Sequence, residues 1–322
     1  MPVILLTNHY GKAPYDIIRK AVPEGFTLKM LDVADRACLL QAAGEADYLL
    51  ASGRLSIDRE VLEAAPKVKM IQRTGVGLDT LDMEALREAG IPVYVNRGVN
   101  SVSVAEHTVM LILSVLKRTA EVDAQLRSGV WKKQDNGVRN HELYQKTVGF
   151  VGMGHVGQKT AQMLSGFEVK MLYNCPHRKD PETEEKLGLT WVEEQDTLLA
   201  ESDVLVLQCP LNEETRGMMG EAAFAKMKPG SILINTARGP LIEEKALIQA
   251  LDSGKIMGAG LDVFEKEPLG ADSPFFQMKN VVLSPHIAGL SCEAFRRMME
   301  GAMQNIAMFD QGRLSEIEER RI

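Results

Sequence analysis

One short run of glycines constrains this chain more than any other feature. Residues 148–151 are apolar and valine-rich, as in a buried strand, and residues 158–164 open a helix. Between them lies Gly152-Met153-Gly154-His155-Val156-Gly157, a G-x-G-x-x-G pattern. The first glycine permits a tight turn off the strand, the second lets phosphates approach the backbone, and the third lets helix and strand pack closely. The N–H groups and positive dipole end of the helix N-terminus then attract the phosphates. Three glycines at this spacing mean little alone. In the order strand, glycines, helix they point to a dinucleotide site rather than a structural turn.

The remaining composition narrows the class. A chain of 322 residues suggests two domains. A net charge of −7 disfavours a nucleic-acid surface, which needs clustered Lys and Arg. No apolar run reaches the ~18 residues of a membrane span. The N-terminus lacks a basic n-region and reads as a strand, not a signal peptide. Cys38, Cys175, Cys209 and Cys292 show no C-x-x-C spacing, which suits reduced thiols in a cytoplasmic protein. Six scattered histidines lack metal-ligand spacing, so no metal site is expected.

Along the first third, strands at 3–7, 27–31, 48–51, 67–72 and 92–95 alternate with helices at 15–21, 34–43, 58–64 and 82–89. That alternation argues for a parallel sheet covered on both faces. Glycine-bearing loops at 73–77 and 96–100 follow two strand ends. They read either as N–H donors to a small carboxylate or as ordinary turns. Residues 101–116 form an apolar helix, expected between domains or at a subunit contact, with His107 a satisfied helix histidine. Residues 119–146 read as polar and irregular. With Trp131 as anchor they form an arm around a partner subunit, or a loop folded on their own domain. A second alternating run has strands at 168–173, 189–192, 203–208, 231–235, 258–263 and 281–283, and helices at 195–200, 220–227 and 243–253. It makes a complete doubly wound unit. In the terminal helix, 293–309, Met298, Met299, Met303 and Met308 read as core filler. Glu316, Glu318, Glu319, Arg320 and Arg321 read as a solvated tail.

Arg238, Glu267 and His286 all follow predicted strand ends of the second run. Reduction of a 2-oxoacid needs this trio. The nascent alkoxide must be protonated, and a carboxylate beside a histidine favours its protonated form. An arginine pairs two-pronged with the substrate carboxylate.

With these residues in place, the chain resembles the D-isomer-specific 2-hydroxyacid dehydrogenase family. The matching segments are 73–79 (RTGVGLD), 95–106 (VNRGVNSVSVAE), 148–157 (VGFVGMGHVG), 209–216 (CPLNEETR), 234–239 (INTARG), 260–268 (GLDVFEKEP) and 284–289 (SPHIAG). The resemblance implies two doubly wound α/β domains with parallel sheets. Residues 1–99 with 290–322 would form a flavodoxin-like substrate domain, and residues 100–289 a Rossmann cofactor domain. It implies His286 as acid/base, Glu267 as its partner and Arg238 as the substrate-orienting residue. Val76, Gly77 and Asn100 are implied on the substrate side. His155, Val156, Cys209, Pro210, Thr215, Ala237 and Asp262 are implied on the cofactor side, beside Gly152, Gly154 and Gly157. It also implies a small 2-oxoacid or 2-hydroxyacid substrate and a homodimer.

Two departures bear on substrate and cofactor. Phosphoglycerate dehydrogenases commonly carry a phosphate-binding arginine where this chain has Ser52. Arg54 would substitute if the strand continued, since it would point to the same side. At the end of the strand after the fingerprint, where NAD sites usually carry Asp or Glu, stands Asn174. The loop after it holds His177, Arg178 and Lys179. NAD(P) is the implied cofactor, with NADP(H) favoured over NAD(H) because Arg178 and His177 would grip a 2′-phosphate. The competing reading is a solvated basic loop beside an NAD site. Two further alternatives use the same fold: a dinucleotide-sensing corepressor-like scaffold, and a formate- or phosphite-type dehydrogenase.

Overall fold

Apolar strands too short and too buried to stand alone are collected into two all-parallel sheets. A computed structural model describes residues 1–317 and 320. The chain divides into one unit of Met1–Asn100 with Ser291–Ile322, and a second of Ser101–Leu290.

The first unit holds β1 (Val3–Leu6), β2 (Thr27–Met30), β3 (Tyr48–Ala51), β4 (Met70–Arg73) and β5 (Val93–Tyr94), in the order β2-β1-β3-β4-β5. This is the flavodoxin-like order, with its switch between β1 and β3. One face packs Leu5, Leu49 and Ile71 on Leu39, Val61 and Leu86. The other packs Ile4, Leu6, Tyr48 and Tyr94 on Met298, Met299 and Met303 of the helix Cys292–Asp310. The methionines are therefore core, as their composition suggests. Helix starts follow the capping chemistry: Asp35, Asp58 and Asp82 each accept a first-turn N–H. Two expectations fail in this unit. β3 ends at Ala51, so the strand alternation that would align Arg54 with Ser52 does not reach it, and Arg54 is exposed. The tail is not simply solvated, because Ile317 is buried against the second face. Glu318, Glu319 and Arg321 lie outside the described residues.

The second unit holds β6 (Thr147–Val151), β7 (Lys170–Asn174), β8 (Leu189–Trp191), β9 (Val204–Leu207), β10 (Ser231–Asn235), β11 (Ile256–Leu261) and β12 (Val281–Leu283). Their order is β12-β11-β10-β9-β6-β7-β8, all parallel. The chain winds outward from β6 through β7 to β8, then crosses to β9 and winds the other way. The switch point is therefore the β6–β9 boundary, where a doubly wound sheet opens a crevice at its carboxyl ends. The helix Ser101–Leu116 is buried on the sheet of its own unit. Leu111, Ile112, Val115 and Leu116 pack with Val148, Phe150, Ile232 and Ile234. Each such fully buried side chain contributes roughly 1.5–3 kcal/mol. The approach is close because β11 carries glycines. A Cβ on Gly258 would stand 2.8 Å from Val115 Cγ1, and one on Gly260 2.9 Å from Leu111 Cβ.

Two stretches read as irregular are helical. Thr119–Arg127 and Lys133–Gly137 interrupt the 119–146 segment, yet neither has a buried residue, so no apolar periodicity marked them. Pro181–Leu187 is also a helix. Its signals were present: Asp180 caps the Thr183 N–H at 2.8 Å, Pro181 opens the first turn, and Gly188 closes it at φ 64°. Among the described residues no helix is long and apolar enough to cross a membrane.

Candidate active site

The carboxyl ends of β6, β7, β9, β10, β11 and β12 carry the predicted residues of the second unit. The turn after β6 fits a dinucleotide. Gly152 has φ 97°, and a Cβ there would lie 2.6 Å from Gln208 O and 2.7 Å from Cys209 N. A Cβ on Gly157 would lie 2.9 Å from Gly152 O. Gly154 meets nothing within 4 Å, so its backbone is open to a ligand. Gly154 also precedes the helix His155–Leu164 without a side chain to cap it, leaving the first-turn N–H groups of His155 and Val156 to an anion.

Beneath this turn runs a buried polar chain that pattern reading missed. Gln208 Nε2 donates to Thr160 Oγ1 at 2.9 Å, and Thr108 Oγ1 meets Thr236 Oγ1 at 2.9 Å. Polar residues inside the apolar helix Ser101–Leu116 were the available signal. Cys209 and Pro210 follow β9. Burial pushes the Cys209 thiol up to about 11, so it stays protonated. Thr215 closes the same loop, its Oγ1 donating to Pro210 O at 2.8 Å.

Asn174 is the last residue of β7, not the first beyond it. Its Nδ2 donates to Val192 O and Glu193 O, both at 2.9 Å, which leaves Oδ1 as acceptor. Arg178 forms a fork-to-fork pair with Glu184 at 2.9 and 2.8 Å and lies 5.5 Å from the Trp191 ring centroid. The Arg178 and Tyr173 hydrogen bonds hold the Glu184 carboxyl down at about 2. His177 is exposed.

Arg238, Glu267 and His286 lie beyond β10, β11 and β12. Asn235 shapes the first of these loops, its side chain bonding Ala237 N at 3.0 Å and Arg238 O at 2.9 Å. Arg238 Nη1 donates to Ala237 O at 2.7 Å. Gly239 presses this loop on the next, since a Cβ there would stand 1.8 Å from Phe264 O. His286 Nδ1 lies 2.6 Å from Glu267 Oε2, and Phe264 N donates to Glu267 Oε1 at 3.1 Å. Burial alone would raise the Glu267 carboxyl. The His286 bond and charge outweigh it and hold the group below the usual range, with the Phe264 N–H and Arg238 adding in the same direction.

His286 sits at φ 55°, in the left-handed region, which costs a non-glycine residue on the order of 1–3 kcal/mol. Asp262 supplies the compensation. It is 1% exposed. Its main-chain O accepts the His286 N–H at 2.7 Å. Its carboxylate accepts Ser284 Oγ at 2.6 Å, Ile287 N at 2.9 Å and Ala288 N at 2.8 Å. His107 Nε2 meets Ser284 Oγ at 2.8 Å. Asp262 is thus the hub of the loop that presents His286, a part that motif matching did not reveal. Chemically, an exposed imidazole on a carboxylate can hold and release a proton, and the neighbouring guanidinium can pair with an anionic substrate.

In the first unit, Val76 and Gly77 follow β4 and Asn100 ends the unit's first segment. Among the described residues no cluster of His, Cys, Asp and Glu is arranged to hold a metal ion.

Comparisons agree with this architecture. Residues 109–288 match the model of the D-isomer specific 2-hydroxyacid dehydrogenase, NAD binding domain. A glyoxylate reductase of Thermococcus litoralis is 42% identical over 284 residues, which cover 87% of this chain and 85% of that protein. A D-3-phosphoglycerate dehydrogenase of Mycobacterium leprae is 37% identical over 294 residues, covering 91% of this chain and 54% of that one. The chain thus spans about half the length of the latter relative. The crystal structure of the TT0316 protein of Thermus thermophilus superposes with a TM-score of 0.88 at 32% identity, covering 99% of this chain and 100% of that one. Sheet order, glycine turn and these likenesses converge: the chain belongs to the D-isomer specific 2-hydroxyacid dehydrogenase family and is an oxidoreductase that uses a nicotinamide dinucleotide.

Proposed function

We propose that this protein interconverts a small 2-oxoacid and the corresponding D-2-hydroxyacid, with glyoxylate or hydroxypyruvate as the favoured oxoacid. The observation that carries this is the 2.6 Å contact of His286 with Glu267 beside Arg238 at one end of one sheet. A bound nicotinamide supplies the hydride. Gly152, Gly154, Gly157, His155 and Val156 would hold its pyrophosphate, with Asn174, Cys209, Pro210, Thr215, Ala237 and Asp262 along the remainder. His286 delivers a proton to the nascent alkoxide oxygen, and Glu267 orients the ring through the 2.6 Å contact. Arg238 pairs with the substrate carboxylate and polarises the ketone. Within the first unit, the Val76 and Gly77 N–H groups and Asn100 are proposed as substrate-binding groups. Ser52, with Arg54 off the strand, leaves no built phosphate grip there, which favours an unphosphorylated acid. A formate-type reaction has no alkoxide to protonate and would leave the Glu267–His286 pair without a task. Following reduced-nicotinamide absorbance across small 2-oxoacids tests the reading. Oxidation with none of them overturns it.

NADP(H) remains the favoured cofactor under this proposal. No acidic side chain stands at the end of β7 to repel a 2′-phosphate, and Asn174 Oδ1 can accept a hydrogen bond from a ribose hydroxyl. Arg178, whose guanidinium is 58% exposed, would have to exchange its bidentate pair with Glu184, only 11% exposed, for the phosphate. Arg178→Ala should then raise KM for NADPH several-fold and leave that for NADH unchanged. A wild-type kcat/KM clearly higher with NADH overturns the preference. A homodimer is proposed on the exposed Val102, Met110, Leu126, Trp131 and Val138. Light scattering that returns a monomer overturns that.

A further inference from the structure

The loop after β4 has its polarity turned inside out. Its carbonyls are drawn inward. Arg73, the last residue of β4, is 4% exposed and folds beneath the loop. Its Nε donates to Gly77 O at 2.9 Å, and its Nη1 to Ser52 O at 2.6 Å and Thr80 Oγ1 at 3.2 Å. Asn96 N donates to Gly75 O at 3.3 Å. The N–H groups are left unpaired: among the described residues, none accepts a hydrogen bond from the N–H of Gly75, Val76 or Gly77. Val76 is 47% exposed, so the loop faces solvent. Successive outward N–H groups with tied-back carbonyls make an anion-binding concavity.

We propose that Arg73 is a positioning residue for the substrate carboxylate. It holds Gly75, Val76 and Gly77 in the conformation that presents their N–H groups, without touching the substrate. The choice of arginine follows, because one guanidinium reaches three oxygens on two segments, which a lysine ammonium on a flexible stem does not reproduce. This inference rests on the 2-oxoacid reading above. A merely structural arginine would stitch the β3 and β4 ends together. Its loss would lower the melting temperature without changing how tightly folded molecules hold an anion.

The test uses the full chain saturated with reduced cofactor and titrated calorimetrically with oxamate, a carboxylate that accepts no hydride. Oxamate Kd is compared with KM and kcat for the best 2-oxoacid and with cofactor Kd. Arg73→Gln should weaken oxamate and raise KM by about tenfold or more, with kcat within about threefold and cofactor affinity unchanged. Arg73→Lys, which keeps the charge, should fall between wild type and Arg73→Gln. Thr80→Val removes one acceptor of the guanidinium and should weaken oxamate by about threefold. An unchanged oxamate Kd in Arg73→Gln, with only a lower melting temperature, overturns the proposal. If the Arg73 variants fail to fold, an unchanged Kd in Thr80→Val overturns it. A wild-type protein that neither reduces a 2-oxoacid nor binds oxamate overturns the functional reading and this inference with it.

Discussion

Two histidines of the same unit stand beside carboxylates, and their surroundings give them opposite characters. His107 is 14% exposed, Asp262 is 1% exposed, and the closest approach between their charges is 3.6 Å. Ser284 stands between them. Its hydroxyl donates to Asp262, so it takes the Nε2–H of His107. Burial pulls the His107 pKa down, and the Asp262 charge offsets this only in part. His107 is a neutral strut. His286 is 48% exposed and touches Glu267, 36% exposed, directly. Water can reach that ring and protons can come and go. A nearby carboxylate therefore does not by itself give a histidine one environment: access and direct contact differ between the two, and a single intervening hydroxyl turns the His107 motif into a fastening.

Breaking the open member of the comparison should have the largest effect. His286→Ala is expected to lower kcat by roughly 10²–10⁴ while cofactor affinity, followed by fluorescence quenching, stays close to wild type. Near-normal turnover would remove His286 from the chemistry.

A smaller effect is expected from Glu267→Gln. Turnover should fall by about tenfold, because an amide no longer gives the His286 ring a charged hydrogen-bond partner. Stability offers an independent check. The folded carboxyl lies below its unfolded value, so its contribution is present above the ordinary carboxylate range near pH ~4.3 and is lost as pH falls through the folded value. Wild type should lose more stability than the variant on acidification through that window. Its exposure keeps the difference modest. Parallel curves, with turnover unchanged, would make Glu267 a bystander.

The smallest effect belongs to the closed member. His107→Gln keeps a donor for Ser284 and should leave kcat within about threefold. Its signature is acid sensitivity. A histidine with a depressed folded pKa contributes full stability above the unfolded value near ~6.5 and loses it as pH falls toward the folded value. Between about pH 7 and 5 the urea midpoint of wild type should drop relative to the variant. Equal slopes would mean that His107 is not held neutral.

The two histidines also mark how far the chain could be read before folding. His286 and Glu267 were legible because each follows a strand in a segment with a strong local pattern. The link of His107 to Ser284 spans 177 positions and leaves no local trace. The same holds for Arg178. A basic loop is visible in the chain, but its bidentate pair with Glu184 depends on the helix Pro181–Leu187, whose caps were overlooked. For Arg54 the reverse holds: the alternation that would align it with Ser52 stops with β3 at Ala51.

What the amino-acid order determined by itself is what short-range physics controls. The turn at Gly152–Gly157 needs only backbone freedom and a helix start, and the alternation of apolar strands with helices needs only local periodicity. Those two facts were enough for two parallel sheets and a dinucleotide turn. The tertiary structure decided which buried polar groups satisfy one another. Asp262 gathers Ser284, Ile287 and Ala288 around a strained His286, and Arg73 reaches back to Gly77, Ser52 and Thr80. Buried donors and acceptors must be paired, but the choice of partner depends on strand order and register, and these exist only once distant segments lie side by side.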